Sequence, residues 1–549
     1  MHTFKPFTLP YPANPEYAKP VAYFSMEFAI HQPLKVYSGG LGFLAGSHMR
    51  SAYDLKQNLV GIGILWKYGY YDQVRRGDQT MDVLFQEKFY SFLVDTGLRF
   101  DIQVNGHPVK VAAWYLPPDV FGSAPLFFLS TDLPENDYLA RTISHRLYDS
   151  NTEAKIAASV LLGVGGGKLL DLIGFQPETY HLNEAHALPL AFYLLEKYGK
   201  KREVRQRMVF TTHTPVEAGN DRTHLGLLAK MNFFGKFSLD EVRKQTGTLG
   251  DIFDHTLGAL RFARLANGVS KMHGEVARQM WSKHTDVCPI LHVTNAQNRR
   301  YWADKTMYEA MEAGDDEALL ERKRERKRQL FEEVADQCGE IYDPNVLTIV
   351  WARRFADYKR ADLVLRDFNR FHAFITSRER PVQVIWAGKP YPQDFQAVSI
   401  YNRIVEMTKG YSNCAVLVGH ELKLSRLLKG GADVWLNNPR ITREASGTSG
   451  MTAAMNGAIN LSVPDGWIPE FARHGENSFV VPAADALAPL HEQDESDGKN
   501  LMTMLENEIL PLYYGQPDRW QHLVKTSMRE ILPFFDSDRM AAEYYGKMY

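Results

Sequence analysis

The chain has 549 residues, room for two large α/β domains or about three to five smaller ones. Hydrophobic residues make up 45% and charged residues 23%, with 40 Gly and 27 Pro, an ordinary globular composition that excludes disordered, collagen-like and low-complexity chains. Lys+Arg number 63 against 65 Asp+Glu, a net charge of −2 that lacks the basic excess of a nucleic-acid-binding surface. The first half then reads as strands alternating with helices. The apolar run Val21–Met26 leads into the glycine turn Tyr37–Gly42 and a helix through Leu55, and a second apolar strand, Leu59–Trp66, follows. From about 70 to 130 the segments are short, turn-punctuated and rich in β-branched and aromatic residues, including Phe100–Val104 and Val109–Trp114, which predicts an antiparallel β insertion. Alternation resumes with a helix around 151–172, strand Thr179–Asn183, a helix from Leu188 to Tyr198 and strand Arg207–Thr212, which predicts a parallel sheet.

A charged helical stretch at about 303–337, containing Glu321–Arg328, reads as a solvated helix whose charges pair at i,i+4. After it comes the cleanest βα repeat: strand Val346–Ala352, helix 358–376, strand Val382–Ala387, helix 394–408, strand Ala415–Val418, helix 422–429 and strand Val434–Leu436. The expected fold is α/β of the GT-B type, two Rossmann-like domains facing across a cleft. They are residues 1–297, with the β insertion, the glycine loop and the acceptor side, and 298–500, the phosphate or donor side; helices at 501–549 are expected to pack back on the first domain. Cys288, Cys338 and Cys414 are too few and too scattered for a disulfide framework or a CxxC knuckle. With no secretion-signal run and no window of about 18 apolar residues, a soluble cytoplasmic protein with no membrane partner is expected.

Ligands of open parallel sheets bind beyond the carboxyl ends of the strands. Arg353 and Arg354 follow such a strand, with Lys359 and Arg360 close behind, a pattern suited to bidentate and point-charge contacts with phosphate. The turn Ser38–Gly42 precedes a helix, where glycine amides approach an anion or sugar closely. Gly163–Lys168 resembles a P-loop only superficially, since the glycine spacing is wrong and Leu169 stands where Ser or Thr is needed. His181, His186 and His213 follow or end strands; five-residue spacing does not put the first two on one face, so buried hydrogen-bonded histidines are expected and no metal. Glu444 opens a small-residue loop, Glu444–Gly450, whose amides and hydroxyls suit a polyhydroxy ligand.

The strings YFSMEF, YSGGLGFLAG, HLNEAHA, FTTHTPVEAGND, NGVSKMHGEVARQMW, ARRFADYKR, AGKPYPQD, DVWLNNPR and EASGTSGM occur in order over about residues 20–480. In them the chain resembles the α-glucan (glycogen/starch) phosphorylase family, short type. The resemblance implies a GT-B fold, pyridoxal phosphate, and glucosyl transfer with retention between phosphate and an α-1,4-glucan or maltooligosaccharide. It implies that Arg354 and Lys359 hold the substrate phosphate, with His213 beside them among the catalytic group. It places Gly39 and Gly40 against phosphate and sugar, His213 and Asn295 on the glucose, and Glu444, Ser446 and Gly447 on the sugar hydroxyls. One position departs. Where the family carries the lysine of the pyridoxal phosphate Schiff base, this chain has Thr452, and no lysine occurs between Lys429 and Lys499. A hydroxyl cannot form a Schiff base, so no covalently bound cofactor is expected at this site and any pyridoxal phosphate would be held noncovalently. The emptied ring-sized space suits the diphosphate and base of a nucleotide sugar. Three readings stand: a phosphorylase-like enzyme without the aldimine, a UDP- or ADP-glucose-dependent glucosyltransferase, and a catalytically silent glucan-binding protein. The sequence leaves self-association into a homo-oligomer open.

Overall fold

The computed structural model describes residues 4–549. The chain forms two compact units. Unit 1 comprises the chain up to Tyr71, Phe85–Asn295 and Ser537–Tyr549; unit 2 comprises Asp72–Leu84 and Ala296–Asp536. Strands β1 (Val21–Phe24) and β2 (Leu59–Ile64) are followed by a hairpin, β3 (Asp72–Arg75) and β4 (Met81–Leu84). Next come β5 (Val94–Val104), β6 (His107–Leu116), β7 (Leu126–Ser130), β8 (Thr179–Asn183) and β9 (Met208–Thr211). The short pair β10 (Arg222–His224) and β11 (Ile252–Asp254) precedes β12 (Leu265–Gly268) and β13 (Ile290–His292). Unit 2 carries β14 (Leu347–Ala352), β15 (Val382–Ala387), β16 (Cys414–Leu417), β17 (Val434–Asn437), β18 (Ile459–Ser462) and β19 (Ser478–Val480).

In unit 1 the sheet order is β13-β12-β9-β8-β1-β2-β7-β6-β5, and every pairing is parallel except β7 with β6 and β6 with β5. The winding therefore reverses between β1 and β8. In unit 2 the order is β16-β15-β14-β17-β18-β19, parallel throughout, and the winding reverses between β14 and β17. Both are doubly wound sheets, and each reversal opens a crevice at the carboxyl ends of its two central strands. The strands are apolar on both faces, as LTIVWA of β14 and VQVIWA of β15 illustrate, because helices cover both sides.

The stretch at about 70–130 is antiparallel as expected, β3 with β4, β5 with β6 and β6 with β7, and it joins the larger elements rather than standing apart from them. β7 pairs in parallel with β2 and is buried along its length, β5 and β6 extend the same sheet, and the β3–β4 hairpin belongs to unit 2. The expected helix over 358–376 is helical only at Phe368–Ile375; the residues before it form two 3₁₀ turns in a loop that carries functional groups. The glycines of Gly163–Gly167 serve packing. A Cβ on Gly163 would lie 2.6 Å from the Leu190 amide nitrogen, and one on Gly166 would lie 2.5 Å from the Phe24 ring.

Helix α1 (Gly40–Asp54) sits in unit 1, where a Cβ on Gly46 would come within 2.0 Å of the Ala29 carbonyl oxygen, so the helix lies directly on that backbone. Helix α2 (Asp316–Cys338) starts at Asp315, whose carboxylate accepts from the Ala318 amide, and stops at Gly339. The charged run is only partly the solvated face expected. Arg322 pairs with Glu325 and Arg324 with Glu321, but Lys323 and Lys327 turn inward. Lys323 donates to the carbonyls of Gly430, Ala432 and Asn456, and Lys327, 1% exposed, donates to Asp433 at 2.5 Å and to the Val346 carbonyl at 2.7 Å. Asp433 also accepts the Thr348 amide at 2.9 Å, so this one ion pair joins α2 to the feet of β14 and β17. Further along the same face of α2, Leu330, Phe331 and Val334 pack with Leu424, Leu428 and Trp435. Replacing one partner of a buried pair strands the other charge at a cost of about 3–5 kcal/mol. Lys327→Met is therefore expected to lose about that much in denaturant unfolding, whereas Arg324→Met on the exposed face is expected to cost under about 0.5 kcal/mol.

Candidate functional site

In unit 2 the crevice lies between the loop after β14 and the loop after β17. Arg353 donates to the Leu436 carbonyl at 3.0 Å. Arg360, fully buried, donates to the carbonyls of Asn438 and Pro439 and pairs with Asp494 and Asp497, while Asn438 returns a bond to the Arg360 carbonyl at 2.7 Å. These contacts lock the two loops together. Lys359 then reaches Glu444, its Nζ 2.5 Å from Oε2. Burial alone would push the Glu444 carboxyl up, but Lys359, Arg353 and Arg354 outweigh it and hold the group below its ordinary range. Three cations thus surround one carboxylate, which leaves the crevice with a surplus of positive charge. Arg354 is exposed and contributes through that charge.

The turn that carries Glu444 is held from below by Asp465, whose Oδ2 accepts the amides of Arg443 and Glu444, both at 2.9 Å, and whose Oδ1 accepts the Gly466 amide. Burial raises its pKa to about 7, and the Glu444 charge pushes the same way. Gly447 has φ +94°, a left-handed backbone that favours glycine, and opens helix α3 (Thr448–Ala454). Gly466, at φ +62°, must be small because a Cβ would lie 2.3 Å from the Ser446 carbonyl oxygen. Around this turn Ser446 Oγ, Trp467 Nε1, Asn437 Oδ1 and Arg353 Nε are buried with no hydrogen-bond partner among the described residues. Buried polar atoms in that state mark a place where a ligand or water completes the network.

In unit 1 the crevice lies between β1 and β8. Ser25 Oγ donates to the Glu27 carbonyl, Asn183 Nδ2 donates to Ser25 Oγ at 3.1 Å, and Asn183 Oδ1 lies 2.7 Å from His213 Nε2. Because the amide nitrogen of Asn183 is committed to Ser25, its oxygen faces the histidine and the imidazole donates from Nε2. Desolvation lowers the His213 pKa to about 3, with His273 and His186 adding to the effect, so the ring is neutral at pH 7 and Nδ1 is an acceptor. Its backbone amide donates to Glu184, a residue at φ +65° whose pKa burial raises to about 7. Asn295 is 2% exposed, and its Oδ1 has no partner among the described residues. His181 bonds Tyr549 and Thr211 and is a buried hydrogen-bonded histidine of the core. No group of three His, Cys, Asp or Glu among the described residues is placed to hold a metal.

The glycine loop differs in detail from a free anion cradle. Glu27, 2% exposed, accepts the amides of Ser38 at 2.6 Å and Gly39 at 3.1 Å, the Ser38 hydroxyl, and the Tyr148 hydroxyl at 2.7 Å. The Gly39 amide is therefore committed to a carboxylate of the chain itself. Open space lies on the Cβ side of both Gly39 and Gly40, and Gly42 is required because a Cβ there would meet Glu27 at 2.7 Å. Each set of sequence-chosen residues is gathered within its own unit: Gly39, Gly40, His213 and Asn295 in unit 1, and Arg354, Lys359, Glu444, Ser446 and Gly447 in unit 2. Sequence reasoning missed the carboxylates that hold these loops, Glu27, Glu184 and Asp465. The first two stand just past strands at a reversal point, and that position is the signal that marks them.

Thr452 lies inside α3, 1% exposed, its hydroxyl donating to the Ser449 carbonyl at 3.0 Å. It carries no amine, so position 452 does not fit a Schiff-base cofactor.

These features define an α/β protein of parallel doubly wound sheets, with a cationic crevice in one unit and a neutral polar one in the other. A family model for carbohydrate phosphorylases matches residues 294–482. The chain is 34% identical over 594 residues to a maltodextrin phosphorylase of Thermococcus litoralis, covering 97% of this chain and 71% of that one. It is 31% identical over 606 residues to a glycogen phosphorylase of Aquifex aeolicus, covering 97% and 86%. An uncharacterized protein of Methanocaldococcus jannaschii is 45% identical over 532 residues, covering 97% and 100%. The chain belongs to the carbohydrate phosphorylase family.

Two outcomes test the loop supports. Glu27→Gln turns an all-acceptor group into one that faces its donors with an NH₂, so the Ser38 and Gly39 amides are expected to exchange hydrogen about tenfold faster or more than in the parent chain. For Asp465 the raised pKa means that the folded chain holds a proton the unfolded chain releases between the ordinary carboxylate range and about pH 7. Its contribution to stability therefore falls as pH rises across that window, by roughly 1.4 kcal/mol for each pH unit crossed. Asp465→Asn removes that slope, and denaturant unfolding of both proteins from pH 4 to 8, a range of about four units, reads it directly.

Proposed function

We propose that this protein transfers a glucosyl residue with retention between the end of an α-1,4-glucan and a phosphate-bearing partner. The observation that carries the reading is the Lys359–Glu444 pair at 2.5 Å, set among Arg353 and Arg354 and ringed by buried polar atoms with no partner among the described residues. A phosphate entering there meets Lys359 and Arg354 as fixed positive charges, which stabilise the negative charge that develops as the sugar–oxygen bond breaks. Lys359 is shared between Glu444 and the phosphate, and this frees a carboxylate oxygen to accept a sugar hydroxyl. Ser446 Oγ and the left-handed turn at Gly447 bring further donors to the same place. In unit 1, neutral His213 and Asn295 would orient the glucose through hydrogen bonds that carry no charge, a positioning role. Gly39 and Gly40 leave the room a sugar phosphate needs. In this reading the fold is of the GT-B class, with unit 2 on the phosphate side and unit 1 on the acceptor side. Relatives named for maltodextrin and glycogen support the choice of glucan. No step runs through a group held at residue 452.

Incubation with a maltooligosaccharide and inorganic phosphate is expected to release glucose 1-phosphate, measured by chromatography. Arg354→Ala and Lys359→Ala are each expected to lower turnover about 10²–10³-fold while leaving maltooligosaccharide affinity within about twofold. Glucan elongation from UDP-glucose or ADP-glucose, with none from glucose 1-phosphate, would replace this reading with a nucleotide-sugar transferase. Glucan binding with no transfer from any of these donors would leave a silent binding protein.

A further inference from the structure

Two successive residues at the end of β8 hold one histidine. Asn183 Oδ1 accepts from the His213 ring nitrogen Nε2 at 2.7 Å, and the carboxylate of Glu184 accepts the His213 backbone amide. In a regular strand neighbouring side chains point to opposite faces, so those of Asn183 and Glu184 would part. Glu184 breaks that alternation. Its own amide is still in the sheet, donating to the Thr211 carbonyl at 2.9 Å, but its backbone stands at φ +65° and ψ 173°, a region open to glycine and strained for any residue with a Cβ. The turn brings the carboxylate over the end of β9, where Oε1 takes the Thr214 hydroxyl at 3.3 Å besides the His213 amide. Glycine would make this turn without strain, as it does at Gly174 and Gly199. What the strain at residue 184 retains is therefore the glutamate side chain and not the turn. The loop that follows has a separate anchor at its far end: Asn220 Nδ2 donates to the carbonyls of Val216 and Glu217, both at 3.1 Å, and Asn220 Oδ1 accepts the Thr256 hydroxyl at 2.8 Å. The His213 end is the one that Glu184 holds.

We propose that Glu184 is a positioning residue for sugar recognition: its carboxylate fixes the main chain of His213 while Asn183 fixes the ring, so that the imidazole Nδ1 is presented in a single orientation. Neither half of this clamp is enough alone. The bond from the ring leaves the backbone that carries it free to shift, and the bond from the backbone leaves the ring free to turn about its side-chain torsions. Held at both points, the acceptor nitrogen meets a sugar hydroxyl in one geometry, without any contact between Glu184 and the sugar. The inference rests on the glucosyl-transfer reading for the ligand that His213 meets, whereas the clamp is a property of the chain itself.

Three variants of the full chain separate the carboxylate from the strain. Glu184→Gly removes both, Glu184→Ala removes the carboxylate and keeps the strain, and Glu184→Gln keeps an oxygen for the two donors that Oε1 serves. Turnover in glucose 1-phosphate release is expected to fall about 10- to 100-fold in the Gly and Ala variants alike, with KM for maltooligosaccharide within about threefold of the parent, and Gln is expected to recover most of that loss. The thermal midpoint is expected to part the same two variants, Glu184→Gly lying above Glu184→Ala because glycine meets no strain there. Hydrogen exchange needs no substrate: the His213 amide is expected to exchange about tenfold faster or more in the Gly and Ala variants than in the parent, and to slow again in Gln. Turnover at the parent level in Glu184→Gly, or a loss of turnover that follows the midpoint from variant to variant, overturns the proposal. A parent chain that makes no glucose 1-phosphate, with faster His213 exchange in the Gly and Ala variants, keeps the clamp and removes the glucosyl reading. Release of glucose 1-phosphate with His213 exchange unchanged in every variant removes the clamp and keeps that reading.

Discussion

Strand-end carbonyls of a parallel sheet need donors, and in unit 2 two buried arginines provide them. Arg353 serves Leu436, and Arg360 serves Asn438 and Pro439, so the loop after β14 is bound to the loop after β17 across the point where the winding reverses. A guanidinium is suited to this because its planar fork satisfies several acceptors at once and does not lose its charge on burial. Arg360 has a further anchor in Asp494, which also accepts from Arg440 and Arg366. With the loops so held, Lys359 and Glu444 meet without having to order flexible segments, and the excess of positive charge in the crevice is built into the fold.

Unit 1 solves the corresponding problem with neutral groups and two carboxylates, Glu27 and Glu184. Glu27 gathers the glycine loop, and the chain from Glu27 through Ser25 and Asn183 to His213 spans the reversal between β1 and β8. A sugar is recognised by hydroxyls, so neutral donors and acceptors with fixed orientation suit it better than free charges, which would hold water more tightly. Charge for a phosphate and oriented neutral groups for a glucan are what a member of the carbohydrate phosphorylase family has to combine. In the proposed reading the two units divide the work along that line.

Much of this was legible in the linear chain because its signals are local. The apolar runs of β14, β15 and β17 and the turns that end them follow from residue order alone, and the basic string directly after a strand falls at the reversal crevice of its sheet. The string did not reveal that its four cations do different things. Arg353 and Arg360 go to backbone carbonyls, Lys359 goes to a carboxylate 85 residues away, and Arg354 stays exposed. Likewise the charged run of α2 looked uniformly solvated, yet the helix turns Lys323 and Lys327 inward, where carbonyls and Asp433 receive them. A helical face is set by the neighbours it packs on, and those neighbours are far along the chain.

By itself, then, the amino-acid order determined the α/β class, the doubly wound repeat in the second half, the motifs that carry the family and the absence of an amine at residue 452. Only the tertiary structure decided the partners. Asp465 lies beneath the Glu444 turn, Glu27 beneath the glycine loop, and Glu184 against the His213 amide. The reason is that strand order and helix packing bring together residues separated by long stretches of chain. That juxtaposition is selected by burial of apolar faces over the whole unit, which no local window of sequence contains.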